Sequence, residues 1–149
     1  MKDYKEFTFG WIIFVLLIPI HLLMTYLYIN DIGDRPMGTN GYTIVTVTFT
    51  LIYFLFYGLT TKVNSDTITV SFGIGLIRKK IQIKRVKTVD TIKSPWYYGW
   101  GIRIIPNGTL YNISGNDGVE LKFNDTNRII RIGTKDSSTL KKEIGKRLV

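Results

Sequence analysis

Two long stretches without charge constrain this chain more than any other feature. Residues 7–29 (FTFGWIIFVLLIPIHLLMTYLYI) contain no Asp, Glu, Lys or Arg, and residues 36–61 contain none either. As a helix, residues 7–29 would cover about 34 Å, against a bilayer hydrocarbon core of about 30 Å. Residues 42–59 would cover about 27 Å, with Tyr42 and Tyr57 near the ends, where aromatic belts form. The sequence therefore predicts two membrane-spanning helices, 7–29 and 42–59, within an anchor of residues 1–61, followed by a separate domain over 62–149. A cleaved signal peptide fits the first stretch poorly, because its apolar run is too long and no small-residue cleavage site follows. The partial alternation TIVTVTFT at the start of the second resembles a strand, but a strand would not need to continue uncharged through LIYFLFYG.

Charge gives these spans a direction. Of the 20 Lys and Arg residues, 17 lie after residue 61, as do 7 of the 11 acids, so the C-terminal part carries +10 and the anchor −1. Basic segments stay on the inner side of a membrane. The expected protein is multi-pass in the plasma (inner) membrane, with its C-terminal domain cytoplasmic and its N-terminus, with Lys2 and Lys5, on the same side. The loop 30–41 faces out.

Within the second helix Thr43, Thr46, Thr50, Tyr53 and Tyr57 share one face, as do His21, Thr25 and Tyr28 on the first. An imidazole in hydrocarbon needs a partner, so His21 is expected to hydrogen-bond a threonine near Thr46 or Thr50. No acid or second histidine lies at comparable depth. This favours an interhelical contact beside Pro19 over a proton relay.

From residue 62 the pattern changes to short β-type runs separated by turns. Residues 66–72 alternate, with Ile68, Val70 and Phe72 inward, and Gly73-Ile-Gly75 supplies a turn. In residues 76–84, Ile77, Ile81 and Ile83 share one parity while Arg78, Lys80, Gln82 and Lys84 share the other. Further strands are expected at 86–92, 100–105, 110–113, 119–123 and 128–132, in an antiparallel sandwich or barrel. Asp136 or Ser137 can cap a helix running to residue 149, with Leu140, Ile144 and Leu148 as its stripe.

Seven antiparallel strands followed by one amphipathic helix is the order of the pleckstrin homology fold. The segments WYYGWGIR (96–103), GTLYNISG (108–115), VEL (119–121) and IGT (132–134) resemble motifs of small bacterial membrane proteins that carry a bacterial PH-like domain. The resemblance covers residues 62–149, and two preceding helices suit that family. It implies a mainly β, α+β domain: a PH-like seven-stranded bent barrel with a C-terminal helix. The chain departs from the eukaryotic PH pattern, whose phosphoinositide motif is reduced here to Arg78 and Lys80, and the resemblance speaks for fold and transfers little function.

Catalytic constellations are not visible. There is no cysteine, the one histidine lies in a membrane span, and the acids fall at strand edges or turns, so neither an enzyme, a cofactor nor a metal site is expected. Gly73-Ile-Gly75 lacks the third glycine and following helix of a phosphate loop. The strongest surface signal is the cationic group Arg78, Lys79, Lys80, Lys84 and Arg85, with Lys87 nearby. Basic residues close to a bilayer attract anionic lipid headgroups, whereas no nucleic-acid motif accompanies them. The aromatic loop holding Trp96, Tyr97 and Tyr98 suits core packing, the headgroup layer or a protein contact. The resulting expectation is a membrane-anchored adaptor that binds a membrane protein partner, or itself, near anionic lipid. A lipid-sensing module and an accessory subunit of a transporter or membrane enzyme are the alternatives.

Overall fold

The computed structural model describes residues 3–148, so Lys2 and Val149 lie outside it. Its first element departs from expectation. Residues 7–9 are not helical: Tyr4–Phe9 form a strand, β1, in which half-buried and exposed positions alternate up to buried Thr8. Gly10 then ends it, and the helix α1 runs over Trp11–Ile29. A second helix, α2, covers Thr39–Phe56 and passes almost directly into strand β2, Gly58–Val63. β1 and β2 pair antiparallel along their whole length, from Tyr4↔Val63 to Phe9↔Gly58. The helical pair is thus an insertion at the tip of a β-hairpin, and the boundary expected after residue 61 falls inside β2.

Both helices are long and apolar enough to cross a membrane. Their apolar side chains are largely left uncovered by the rest of the chain: Ile12 is the one buried residue of α1, and α2 has none. Aromatic and hydroxyl contacts join the pair. Phe14 stacks on Tyr53 with centroids 5.3 Å apart, Tyr28 stacks on Tyr42 at 4.2 Å, and the Thr25 and Tyr42 hydroxyls lie 3.2 Å apart. The expected bond from His21 to Thr46 or Thr50 is not among the interactions of the described residues. The His21 ring instead packs against Phe49, centroids 4.9 Å apart, with Tyr53 beside it. Face periodicity brought these residues to one seam, but ring packing and the Thr25–Tyr42 contact took over the pairing.

The remaining strands are β3 (Thr67–Phe72), β4 (Ile77–Gln82), β5 (Val86–Lys93), β6 (Gly101–Ile105), β7 (Gly108–Asn112), β8 (Asp117–Phe123) and β9 (Ile129–Gly133), followed by helix α3 (Ser137–Gly145). One sheet has the order β1-β2-β3-β4 and the other β5-β8-β9-β7-β6. The general architecture is therefore α+β: an apolar helical hairpin, two sheets and a C-terminal helix. Seven strands lie close to their expected positions; β1 and β2 straddle the outer ends of the uncharged runs, each with a charged half outside and an uncharged half inside. A further departure is that β7 and β9 are parallel, so the turn at 113–116 connects strands that are not neighbours. Asn112 shapes that turn, its Nδ2 donating to Gly115 O and its Oδ1 accepting from Ile113 N, both at 2.9 Å. Alternation shows which face a residue takes, not which strand lies beside it.

Ile68, Val70 and Phe72 are buried as expected, together with Ile81, Ile83, Val119, Leu121 and Ile132. Helix α3 packs on β5 and β8, sending fully buried Leu140 and Ile144 into this core. Each such side chain contributes about 1.5–3 kcal/mol by leaving water. Asp136 caps α3 by accepting from Thr139 N at 2.9 Å.

Candidate functional site

Pairing registers define two ends of the sheet domain. At the helix-proximal end, Gly10 N donates to Tyr57 O at 2.9 Å, Gly73 N to Gly58 O at 2.8 Å, and Ser114 Oγ to Phe9 O at 3.1 Å. Gly73 has φ +49°, and a Cβ there would lie 2.2 Å from Phe54 O and 2.5 Å from Leu55 O. Only glycine allows the β3–β4 turn to rest on the last turn of α2. A second tie joins the N-terminal strand to the C-terminal segment. The Glu6 carboxylate accepts from Lys135 N at 2.8 Å, Thr134 Oγ1 at 2.5 Å and Tyr4 OH at 3.0 Å. Burial, then the nearby Glu6 charge, holds the Tyr4 phenol far above its ordinary range.

The opposite end is open. A cleft of about 950 Å³ lies between β4 on one side and the β6–β7 hairpin with the start of β9 on the other. Its cations are Lys79, Lys80, Arg85 and Arg128, and no Asp or Glu lines it. Arg85 is held by Asp125, Nη2 to Oδ2 at 2.7 Å. Among the described residues no ion pair involves Lys79, Lys80 or Arg128. The apolar lining has a simple origin. Ile104 pairs with Thr109, Thr109 with Ile130, and Tyr111 with buried Ile132, so these side chains share the inner face of the second sheet. The first sheet does not extend over that margin, which leaves Ile104 95 % exposed and Ile102 41 % exposed. Burial raises the pKa of Tyr111, which lines the cleft.

Both walls carry edge strands. β4 ends the first sheet and β6 ends the second. Ile83 N donates to Asp66 O at 2.9 Å, which sets the phase of the β3–β4 ladder. Residues 77, 79 and 81 direct their backbone groups toward β3, and Arg78, Lys80 and Gln82 direct theirs outward. An edge of this kind is a template for another strand unless charge discourages it. Here the edge carries only positive charge, which discourages basic chains and admits acidic ones.

The site residues expected from sequence do not form one group. Arg78, Lys79, Lys80, Lys84 and Arg85 are all exposed, but only Lys79, Lys80 and Arg85 reach the cleft. Lys84 and Arg85 follow the far end of β4, whose six residues span about 20 Å. Trp96, Tyr97 and Tyr98 lie at the other end, in the loop after Lys93, which pairs with Asp117 near the helix roots. Trp96 and Tyr97 are exposed, while Tyr98 is half-buried, its ring 5.9 Å from the Arg131 guanidinium carbon. His21, Thr46 and Thr50 remain in the helical pair, remote from both. Ile104, Tyr111, Arg128 and Ile129 complete the cleft and carry no signal in the sequence, because nothing local reveals where one sheet stops covering the other.

No family model, curated protein or solved structure matches the chain. The described residues contain no group of three or more His, Asp or Glu placed to hold a metal.

Proposed function

We propose that this chain is a membrane-anchored interaction module: it spans the bilayer twice, keeps both termini cytoplasmic, and offers its far cleft to an acidic, extended segment of a partner protein. The observation that carries the reading is the coincidence, in one cleft, of an unpaired strand edge, an uncovered apolar sheet face and cations without acids. An extended segment added to β4 would satisfy the outward backbone groups, and alternate side chains would meet Ile104 and Lys79. The excess of +10 after residue 61 supports the cytoplasmic orientation. A PH-like relationship remains part of this reading. It rests on the seven strands and helix after residue 66, and neither β1, β2 nor the parallel β7–β9 pair belongs to it.

Recognition of the host bilayer's own lipid is the competing use of these charges. Distance argues against it for the cleft. Electrostatic attraction to a surface fades over a Debye length of about 8 Å at physiological salt, and residues 80–82 lie about 13 Å or more along the strand from the Leu76 turn that rests on α2. Full-length protein in nanodiscs can be titrated with peptides alternating Glu and apolar residues, with basic counterparts, and with short-chain phosphatidylglycerol. Binding of the acidic peptides alone, lost in the K79E/K80E/R128E variant, is expected. Binding of the lipid but of no peptide would replace this function with lipid sensing.

A further inference from the structure

A second surface sits at the opposite end of the domain, and its chemistry is apolar. The β3–β4 turn exposes Ile74 at 59 % and Leu76 at 73 %, directly beside the carbonyls of Phe54 and Leu55 that close α2. Phe9 and Trp11, 44 % and 53 % exposed, stand where β1 passes into α1, and Trp96 and Tyr97, 74 % and 67 % exposed, occupy the nearby loop after β5. Singly exposed apolar residues are ordinary, but six gathered around one end of a domain are not. Their position is continuous with the two apolar helices, so the surface that those helices enter is the surface this collar meets. Aromatic rings favour the bilayer interface, where the body is buried and the polar tip stays wet.

We propose that this collar is a second, non-spanning membrane contact: the Ile74–Leu76 turn dips below the lipid headgroups while Trp96 and Tyr97 rest at headgroup level. The domain is then seated on the bilayer as well as tethered to it. Because Gly73 presses the turn onto α2 and β1 and β2 continue into the helices, seating fixes the cleft on the side away from the membrane. The inference rests on the spanning reading of the helices and adds a contact which that reading does not require.

The chain has no cysteine, so single nitroxide labels can be placed without a background. Full-length I74C and L76C, with L22C in the middle of α1 and K84C beyond β4 as references, are reconstituted in phosphatidylcholine–phosphatidylglycerol vesicles. Collision with lipid-soluble oxygen is compared with collision with a water-soluble nickel chelate. The ratio at 74 and 76 is expected to exceed that at 84 severalfold and to approach that at 22. Equal ratios at 74, 76 and 84 with a lipid-exposed 22 would overturn the collar and leave the spanning helices intact. A water-exposed label at 22 would overturn the spanning reading itself. Shielding of 74 and 76 from both reagents would mean that protein covers the collar, which also overturns the proposal.

Discussion

The two ends of the sheet domain are built from the same strands and solve opposite problems. At the helix-proximal end backbone meets backbone at glycines 10, 58 and 73, hydrogen bonds cross from strand to helix root without a linker, and the exposed side chains are apolar. At the far end the second sheet outreaches the first, an edge strand stays unpaired and the charged residues that line the cleft are all basic. The closed end resists motion and water; the open end keeps unsatisfied backbone and apolar area in reserve. Stability should therefore concentrate at one end and recognition at the other, so substitutions should separate folding from binding.

The largest loss of stability is expected from Gly73→Ala. It forces a side chain into a left-handed conformation and against Phe54 O, and strain of these kinds costs about 3 kcal/mol or more in combination. Gly75 lies in the same turn at φ +88° with nothing within 4 Å of a Cβ, so Gly75→Ala should cost only about 1–2 kcal/mol. Thermal unfolding of the two full-length variants measures the difference. Equal losses would show that the helix contact contributes nothing.

Glu6→Ala removes the acceptor shared by Tyr4, Thr134 and Lys135, and should lower stability by about 2 kcal/mol while speeding amide exchange across β1. Unchanged exchange in residues 4–9 would mean that pairing with β2 alone holds that strand.

Asp136→Ala should cost less and depend on pH. The Thr139 hydroxyl and amide hold the Asp136 carboxyl below its ordinary range, so its folded pKa lies below its unfolded one. Its stabilisation is fully present above about pH 3.9, where an unfolded aspartate titrates, and is lost as pH falls through the lower folded value. Parent and variant should converge in acid; a constant gap would exclude the charged cap.

Smallest for folding is K79E/K80E/R128E. These exposed residues should change stability by no more than about 0.5 kcal/mol, yet they should weaken acidic-peptide binding at least tenfold and reduce its salt dependence. A large folding defect would place the open end within the structural core.

How much of this was readable in the sequence follows from which interactions are local. Uncharged length gave the helices, and parity gave the inward residues of β3 and β4, because both depend on neighbours in the chain. Tyr4–Phe9 escaped because an alternating strand beside an apolar helix merges with it when charge is the only marker. His21 reaches the second helix at Phe49 and not at a threonine for a related reason, since periodicity names a face and ring packing chooses the partner. The cationic residues at 78–85 were visible, but their separation from Trp96 and their meeting with Ile104 and Arg128 depend on sheet order, which no local pattern encodes.

Hydrogen exchange of the full-length protein in lipid nanodiscs, with and without an acidic alternating peptide, tests the division most directly. Slowed exchange at the outward amides of Arg78, Lys80 and Gln82, with residues 9–11, 73–76 and 96–98 unchanged, is the expected result. Protection confined to the helix-proximal residues, or none on β4, would contradict the account.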